Sequence, residues 1–358
     1  MNGAVLALTP RGRVLALLVG KLTGFTVYLP SKLLEPGDAA EPFDALREAL
    51  AETFARHRQL VLVMATGIAV RLLAPLLEDK RRDPAVVVLD EAGQHAISLL
   101  SGHFGGANDL ARSLGEKIGA VPVITTATDV NGLLAIDVLA KLLGLMPEPF
   151  ALVKEYNAAQ LRGETVAVFA KGWPPLCKEG AGLSFLPADS YASQCDRYAW
   201  RAVVTDLACW PGGDGDLHLR PASLYVGLGC RRGTAAAQVL ATIKQALARH
   251  NLACASLAAL ATIEAKRAEP GLLQAAAELK LPLLFFSAAE LGGLTRPYEQ
   301  SPFVYQTMGV GGVCEPAAIL AASGGEVLVK KEKMEGVTVA VARGISPWWE
   351  LGPAQTGS

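Results

Sequence analysis

Short uniform apolar runs alternate with spaced apolar positions along the first part of the chain. Ala4–Leu8, Gln59–Met64, Ala85–Leu89 and Val121–Thr125 read as buried strands. Arg13–Gly20, Phe43–His57, Gly67–Leu77, Ala107–Ile118 and Leu133–Leu143 space their apolar residues three and four apart and read as amphipathic helices. This alternation predicts an α/β domain built on an open, twisted, largely parallel sheet. Glu91–Gly93 interrupts the rhythm: a tight turn between Val86–Asp90 and Gln94–Leu99 predicts a local hairpin. Gly119 reads as the stop of the helix before it.

Pro147 and Pro149 follow the Leu133–Leu143 helix and mark a boundary. Beyond them Thr165–Ala170 is a clear strand, with weaker candidates at Val203–Asp206 and Leu217–Leu219, so a small middle α/β domain or insert is expected. The strand–helix rhythm returns with strands at Leu224–Leu228, Pro282–Phe286, Val327–Lys330 and Val337–Val341. Helices are expected at Ala235–His250, Leu272–Leu279 and Glu315–Ala322, making a C-terminal α/β domain. The expected division is 1–146, 147–222 and 223–345, followed by a tail at 346–358.

Composition narrows the class. The chain has 358 residues, 51% of them hydrophobic, and a net charge of −1. Such a balance gives no global basic field for nucleic acid, so any anion recognition must come from a local pocket. No apolar run reaches the roughly 18 residues of a membrane span. The N-terminal pattern fits a strand–turn–helix better than a signal peptide, and a cytoplasmic protein is expected. The six cysteines, Cys177 among them, show no C-x-x-C and no zinc spacing, and read as reduced thiols.

The candidate chemistry concentrates in Ser98–Asp109, SLLSGHFGGAND, and in TTATD at Thr125–Asp129. Gly102, Gly105 and Gly106 let backbone amides approach a ligand, and Asn108 stands at the start of a helix whose dipole favours an anion. His103 brings a side chain that titrates near neutrality, as a general acid/base or as a loop residue bonded to backbone. Asp90 and Glu91 end an apolar strand, where α/β sheets place ligand-binding groups, so a pocket at the carboxyl ends of the strands is expected. Asp90 is open to orienting His103 or activating water, and equally to a turn role. Asp129 carries the same two readings, with an N-cap or turn in DVNG as the bland one. Thr125, Thr126 and Thr128 offer hydroxyls, though alternate residues of a strand cannot all face one site. Farther on, Gly227, Gly229, Arg231 and Thr234 repeat the strand, glycine turn and helix order without matching a dinucleotide fingerprint. Lys266 and Glu269 read as a solvated i,i+3 pair. Cys230 and Cys314 are candidate reactive thiols only if a base is nearby.

Taken together, Gly67–Arg71 (GIAVR), Asp83–Glu91 (DPAVVVLDE), Ser98–Asp109 and Pro122–Asp129 (PVITTATD) resemble the cobalt-precorrin-5A hydrolase (CbiG) family of anaerobic cobalamin biosynthesis. Tyr225–Thr234 (YVGLGCRRGT), Ile263–Lys266 (IEAK) and Val313–Ala317 (VCEPA) resemble that family's C-terminal domain, which also occurs as a separate protein of the aerobic corrin pathway. The resemblance implies a cobalt-bound tetrapyrrole substrate whose δ-lactone is opened by water with release of acetaldehyde, giving cobalt-precorrin-5B. The cobalt would arrive with the substrate, so no protein-bound metal or other cofactor is expected. His103, Asp90 and Asp129 would then be the catalytic candidates. Arg71, Lys80, Lys266 and the glycine-turn residues above would bind the peripheral carboxylates, and the three threonines would donate to them or to the lactone carbonyl. Neighbouring corrin-pathway enzymes are the implied partners, without nucleic acid or membrane, and a homo-oligomer is compatible. Two alternatives remain open: a non-catalytic corrinoid carrier, and a phosphate- or nucleotide-binding α/β protein, against which stands the lack of a Walker A lysine.

Overall fold

The computed structural model describes residues 3–79, 82–103, 105–171, 181–210, 215–296, 298–300, 305–306 and 309–344. Lys80, Cys177 and the expected tail at 346–358 lie outside the described residues. The chain divides into two compact units, 1–138 and 139–358.

The first unit is built on strands β1 (Gly3–Ala7), β2 (Thr26–Pro30), β3 (Ala40–Phe43), β4 (Gln59–Val63), β5 (Ala85–Leu89), β6 (His95–Leu100) and β7 (Val121–Val123). They form one sheet in the order β3-β2-β1-β4-β5-β6-β7. Alternate residues of β1, β4 and β5 feed two cores. Val5, Val61 and Val87 face the helices Pro10–Thr23 and Ala107–Ile118, while Leu6, Leu62 and Val88 face Leu46–Arg56 and Thr66–Leu73. Burial on both faces is why these strands are apolar throughout. Helix Pro10–Thr23 starts where Thr9 Oγ1 accepts the Gly12 amide at 3.0 Å, with Pro10 in its first turn. Strands β2 and β3 were not expected; β2 pairs between β1 and β3, and the edge strand β3 reads AEPF, short and polar with a proline, as an edge strand tolerates.

The hairpin expected at Glu91–Gly93 is present and sets the geometry of the unit. The Asp90 carboxylate accepts the Ala92 amide at 2.8 Å and the His95 amide at 2.6 Å, and Gly93 takes φ 68°. β6 therefore runs antiparallel to β5, with Val86 opposite Leu100 and Leu89 opposite Ala96, and β7 follows β6 in parallel.

The second unit holds two sheets. Residues 139–222 contribute β8 (Leu145–Glu148), β9 (Val166–Ala170), β10 (Leu183–Pro187), β11 (Trp200–Val204) and β12 (Leu217–Pro221), ordered β10-β9-β11-β12-β8. The stretch around Pro147 is thus an edge strand, antiparallel to β12. The second sheet has β13 (Leu224–Cys230), β14 (Leu257–Ile263), β15 (Leu283–Phe286), β16 (Glu326–Met334) and β17 (Val337–Arg343) in the order β15-β14-β13-β17-β16. The two are tied by a buried ion pair: both Asp206 oxygens accept from Arg343, at 2.6 and 2.9 Å, and Ser223 Oγ adds a bond at 3.1 Å. Helix Cys314–Ala321 lies so close on β13 that a Cβ at Gly227 would fall 1.8 Å from the Cys314 carbonyl oxygen. Gly227→Ala is therefore expected to cost about 1–3 kcal/mol by overpacking, read as a lowered Tm in thermal unfolding.

Candidate functional site

Because β6 is reversed, the loop after it emerges beside the start of β5, where Ser101 Oγ donates to the Asp83 carbonyl at 3.1 Å. The candidate site thus lies at the carboxyl ends of β6 and β7, as expected of strand ends, but at the amino ends of β1 to β5, away from Asp90. Ser101 adopts φ 55° and Gly106 φ 92° to close this loop. A Cβ at Gly105 would come within 2.3 Å of Ser101 Cβ, and one at Gly102 within 2.8 Å of Asn108 Oδ1. The Ala107 and Asn108 amides bond back to the Ser101 and Gly102 carbonyls at 3.2 and 3.0 Å. The glycines and Asn108, expected as anion donors, serve here to fold the loop tightly onto the helix Ala107–Ile118.

That packing converges on Asp129. Its Oδ2 lies 2.7 Å from His103 Nε2 and accepts from Asn108 Nδ2 at 2.9 Å, while Oδ1 is bonded by Arg112 Nη2. Burial works to raise the Asp129 carboxyl, but the bonds from His103 and Arg112 outweigh it and hold it below the ordinary carboxylate range. An ionised carboxylate only accepts, so His103 carries a proton on Nε2. Thr128 Oγ1 lies 3.1 Å from the same nitrogen, and Nδ1 lies 3.8 Å from Asp137 Oδ2. Asn108 is itself held by Ser98 Oγ at 2.6 Å and donates to Thr126 Oγ1 at 3.1 Å. The His103 side chain is 14% exposed and that of Asp129 20%, so both are shielded yet open to a ligand.

Two of the three threonines join the cluster because β7 ends at Val123 and the chain then turns into the short helix Ala127–Val130, so strand alternation no longer applies. Thr125 is exposed. Asp90 does not join it. β5 rises about 3.3 Å per residue, which puts its two ends on the order of 15 Å apart, with Asp90 at the far one. There, burial raises the Asp90 carboxyl but the hairpin amides overcome it, keeping it ionised as a turn anchor. Arg71 is exposed on its own helix, with Nη1 3.3 Å from the Gly67 carbonyl. Ser98, Arg112 and Asp137 were not foreseen. Arg112 shares a helix face with Asn108 at i,i+4, a detectable signal, whereas nothing in the sequence around Asp137 marks it as buried.

The C-terminal candidates separate by role. Gly227 and Gly229 lie inside β13, under the helix Cys314–Ala321 and against Thr338, rather than in a ligand turn. Arg231 is exposed, and Thr234 Oγ1 donates to its carbonyl at 2.8 Å. Lys266 and Glu269, expected in solvent, are only 11% and 6% exposed and paired at 3.2 Å. Burial raises the Glu269 carboxyl, but the Gly233 amide, bonded at 2.7 Å, and Lys266 pull it below its ordinary range. Burial pushes the Cys230 thiol up and the Cys314 thiol up to about 11, which disfavours a thiolate at either.

Comparison with known proteins finds relatives along most of the chain. Family models for the cobalamin synthesis G N-terminal region, the cobalamin biosynthesis central region and the cobalamin synthesis G C-terminus match residues 48–129, 134–253 and 224–342. The chain is 37% identical over 346 residues to the cobalt-precorrin-5A hydrolase of Salmonella typhimurium, covering 94% of this chain and 96% of that protein. The chain belongs to the CbiG family. A second relative, the cobalt-precorrin-5A hydrolase of Priestia megaterium, is 33% identical over 354 residues, with 95% and 94% of the two chains covered. Protein CobE of a Sinorhizobium species is 34% identical over 124 residues, which cover 34% of this chain and 80% of CobE. His103, Arg112 and Asp129 fall within the family's N-terminal match, and Asp137 within the central one.

The depressed Asp129 carboxyl makes a signed prediction. Its stabilising contribution is complete above the ordinary carboxyl range, about pH 4, and is lost as pH falls through its lower folded value. Asp129→Asn is expected to lower Tm at neutral pH, with the gap to the wild type closing as the pH falls below the ordinary carboxyl range in a pH series of thermal melts.

Proposed function

We propose that this chain is a cobalt-precorrin-5A hydrolase, opening the δ-lactone of the cobalt-bound tetrapyrrole and releasing acetaldehyde to give cobalt-precorrin-5B. Support comes from the names of relatives aligned over nearly their full length, and from the His103–Asp129 pair, which is the observation that carries the chemistry. Lactone hydrolysis needs a base for water, and an imidazole whose other nitrogen is held by a fixed carboxylate is suited to that task. Opening the acyl C–O bond gives a carboxylate and an alcohol. Loss of the alcohol proton then forms the aldehyde carbonyl as the adjoining carbon–carbon bond breaks, with its electron pair passing to the macrocycle, which takes up a proton. The protonated ring of His103 can return its proton to the leaving oxygen.

In this reading the cobalt belongs to the substrate and the protein supplies acid–base chemistry alone. Exposed Arg71 is a proposed partner for the substrate's peripheral carboxylates, with Lys80 and Thr125 as further contacts. A cytoplasmic location beside the neighbouring corrin-pathway enzymes belongs to this reading. Among the described residues no helix is long and apolar enough to cross a membrane.

Anaerobic incubation with cobalt-precorrin-5A, followed by acetaldehyde assay and substrate mass, tests the reading. His103→Ala is expected to lower turnover about 10²–10⁴-fold while substrate binding is kept. Binding without acetaldehyde from the wild type would instead support a carrier of corrin intermediates.

A further inference from the structure

Nε2 of His103 is committed. It faces Asp129, which is itself fixed by Asn108 and Arg112, so the neutral ring presents its lone pair at Nδ1. Nδ1 looks toward a second carboxylate, Asp137 Oδ2, at 3.8 Å. That separation is too long for a direct hydrogen bond and short enough for one water to bond both atoms. Asp137 stands in the first turn of the helix Ile136–Leu142 between buried Ile136 and Leu139, and its side chain is 8% exposed. A buried acid in that place is costly unless it has charged or hydrogen-bonding company, and the His103 ring is part of that company.

We propose that Nδ1, not Nε2, is the nitrogen that exchanges the catalytic proton, and that Asp137 is the positioning residue that holds the attacking water against it. The inference rests on the hydrolase reading above. Water donates one hydrogen to Nδ1 and the other to Asp137, leaving an oxygen lone pair for the lactone carbonyl. As the new C–O bond forms, the first proton passes to Nδ1 and the carbonyl becomes a tetrahedral oxyanion. Collapse of that oxyanion breaks the lactone C–O bond, and the departing oxygen takes the proton from Nδ1. The transient imidazolium lies between two carboxylates, Asp129 and Asp137, throughout. Neither carboxylate needs to change its protonation.

Two measurements test the inference. In ¹⁵N NMR of the full-length wild type above neutral pH, His103 is expected as the Nε2–H tautomer, and Asp129→Asn is expected to lose that preference. In the acetaldehyde assay, Asp137→Asn, which keeps the shape of the side chain, is expected to lower kcat about tenfold or more with KM nearly unchanged and the His103 tautomer intact. An Nδ1–H tautomer in the wild type, or wild-type kcat in a folded Asp137→Asn protein, would overturn the inference while leaving the hydrolase reading standing. No acetaldehyde from the wild type would overturn both, even with the tautomer as expected.

Discussion

The antiparallel pairing of β6 with β5 governs where chemistry can occur in the N-terminal unit. Asp90 makes that pairing by accepting the Ala92 and His95 amides, so the chain doubles back at once. The loop carrying His103 is thereby delivered beside Asp83, at the amino end of β5, and β7 runs alongside to bring Asp129 to the same edge. Had β6 run parallel to its neighbours, its loop would have opened at the carboxyl ends, where ligands of doubly wound sheets usually bind. Asp90 thus bears on the site through topology, from the opposite end of the strand.

Once the two loops meet, a single carboxylate organises them. Asp129 accepts from His103, Asn108 and Arg112, each from a different place in the turn or the helix after it. Partial burial makes an unpaired carboxylate expensive, and three donors offset that cost. The same bonds keep it ionised, and an ionised Asp129 is what fixes the proton on Nε2. Arg112, half-exposed, also touches Asp109 at 3.3 Å, so its pairing with Asp129 is sensitive to solvent in a way the Asn108 bond is not.

The C-terminal sheet uses similar glycines for a different purpose. Gly227 admits the helix Cys314–Ala321, and Gly271 admits the Thr234 carbonyl, whose approach would place an added Cβ 2.0 Å away. Backbone contact of this kind needs the absence of a side chain, as a phosphate-binding turn does, and the two needs leave the same mark in a sequence. Lys266 and Glu269 then brace the turn after β13 through the Gly233 amide, from a largely buried position.

The amino-acid sequence by itself determined which segments become the central strands, because β1, β4 and β5 are buried on both faces and only unbroken apolar runs satisfy that. It also marked the hairpin, through turn residues between two runs, and the glycine-flanked His103 and Asp129, through residue types whose chemistry is local. Strand β3 escaped notice since an edge strand needs no apolar alternation, β2 because TVYLP is short and ends in a proline, and Leu257–Ile263, rich in alanine and leucine, has a composition equally suited to a helix. Only the tertiary structure decided that His103 sits at the opposite end of β5 from Asp90 and beside Asp137. A strand's direction follows from hydrogen bonds to its neighbour, and a helical acid's burial follows from what packs against it. Neither is encoded in the spacing of residues along one segment.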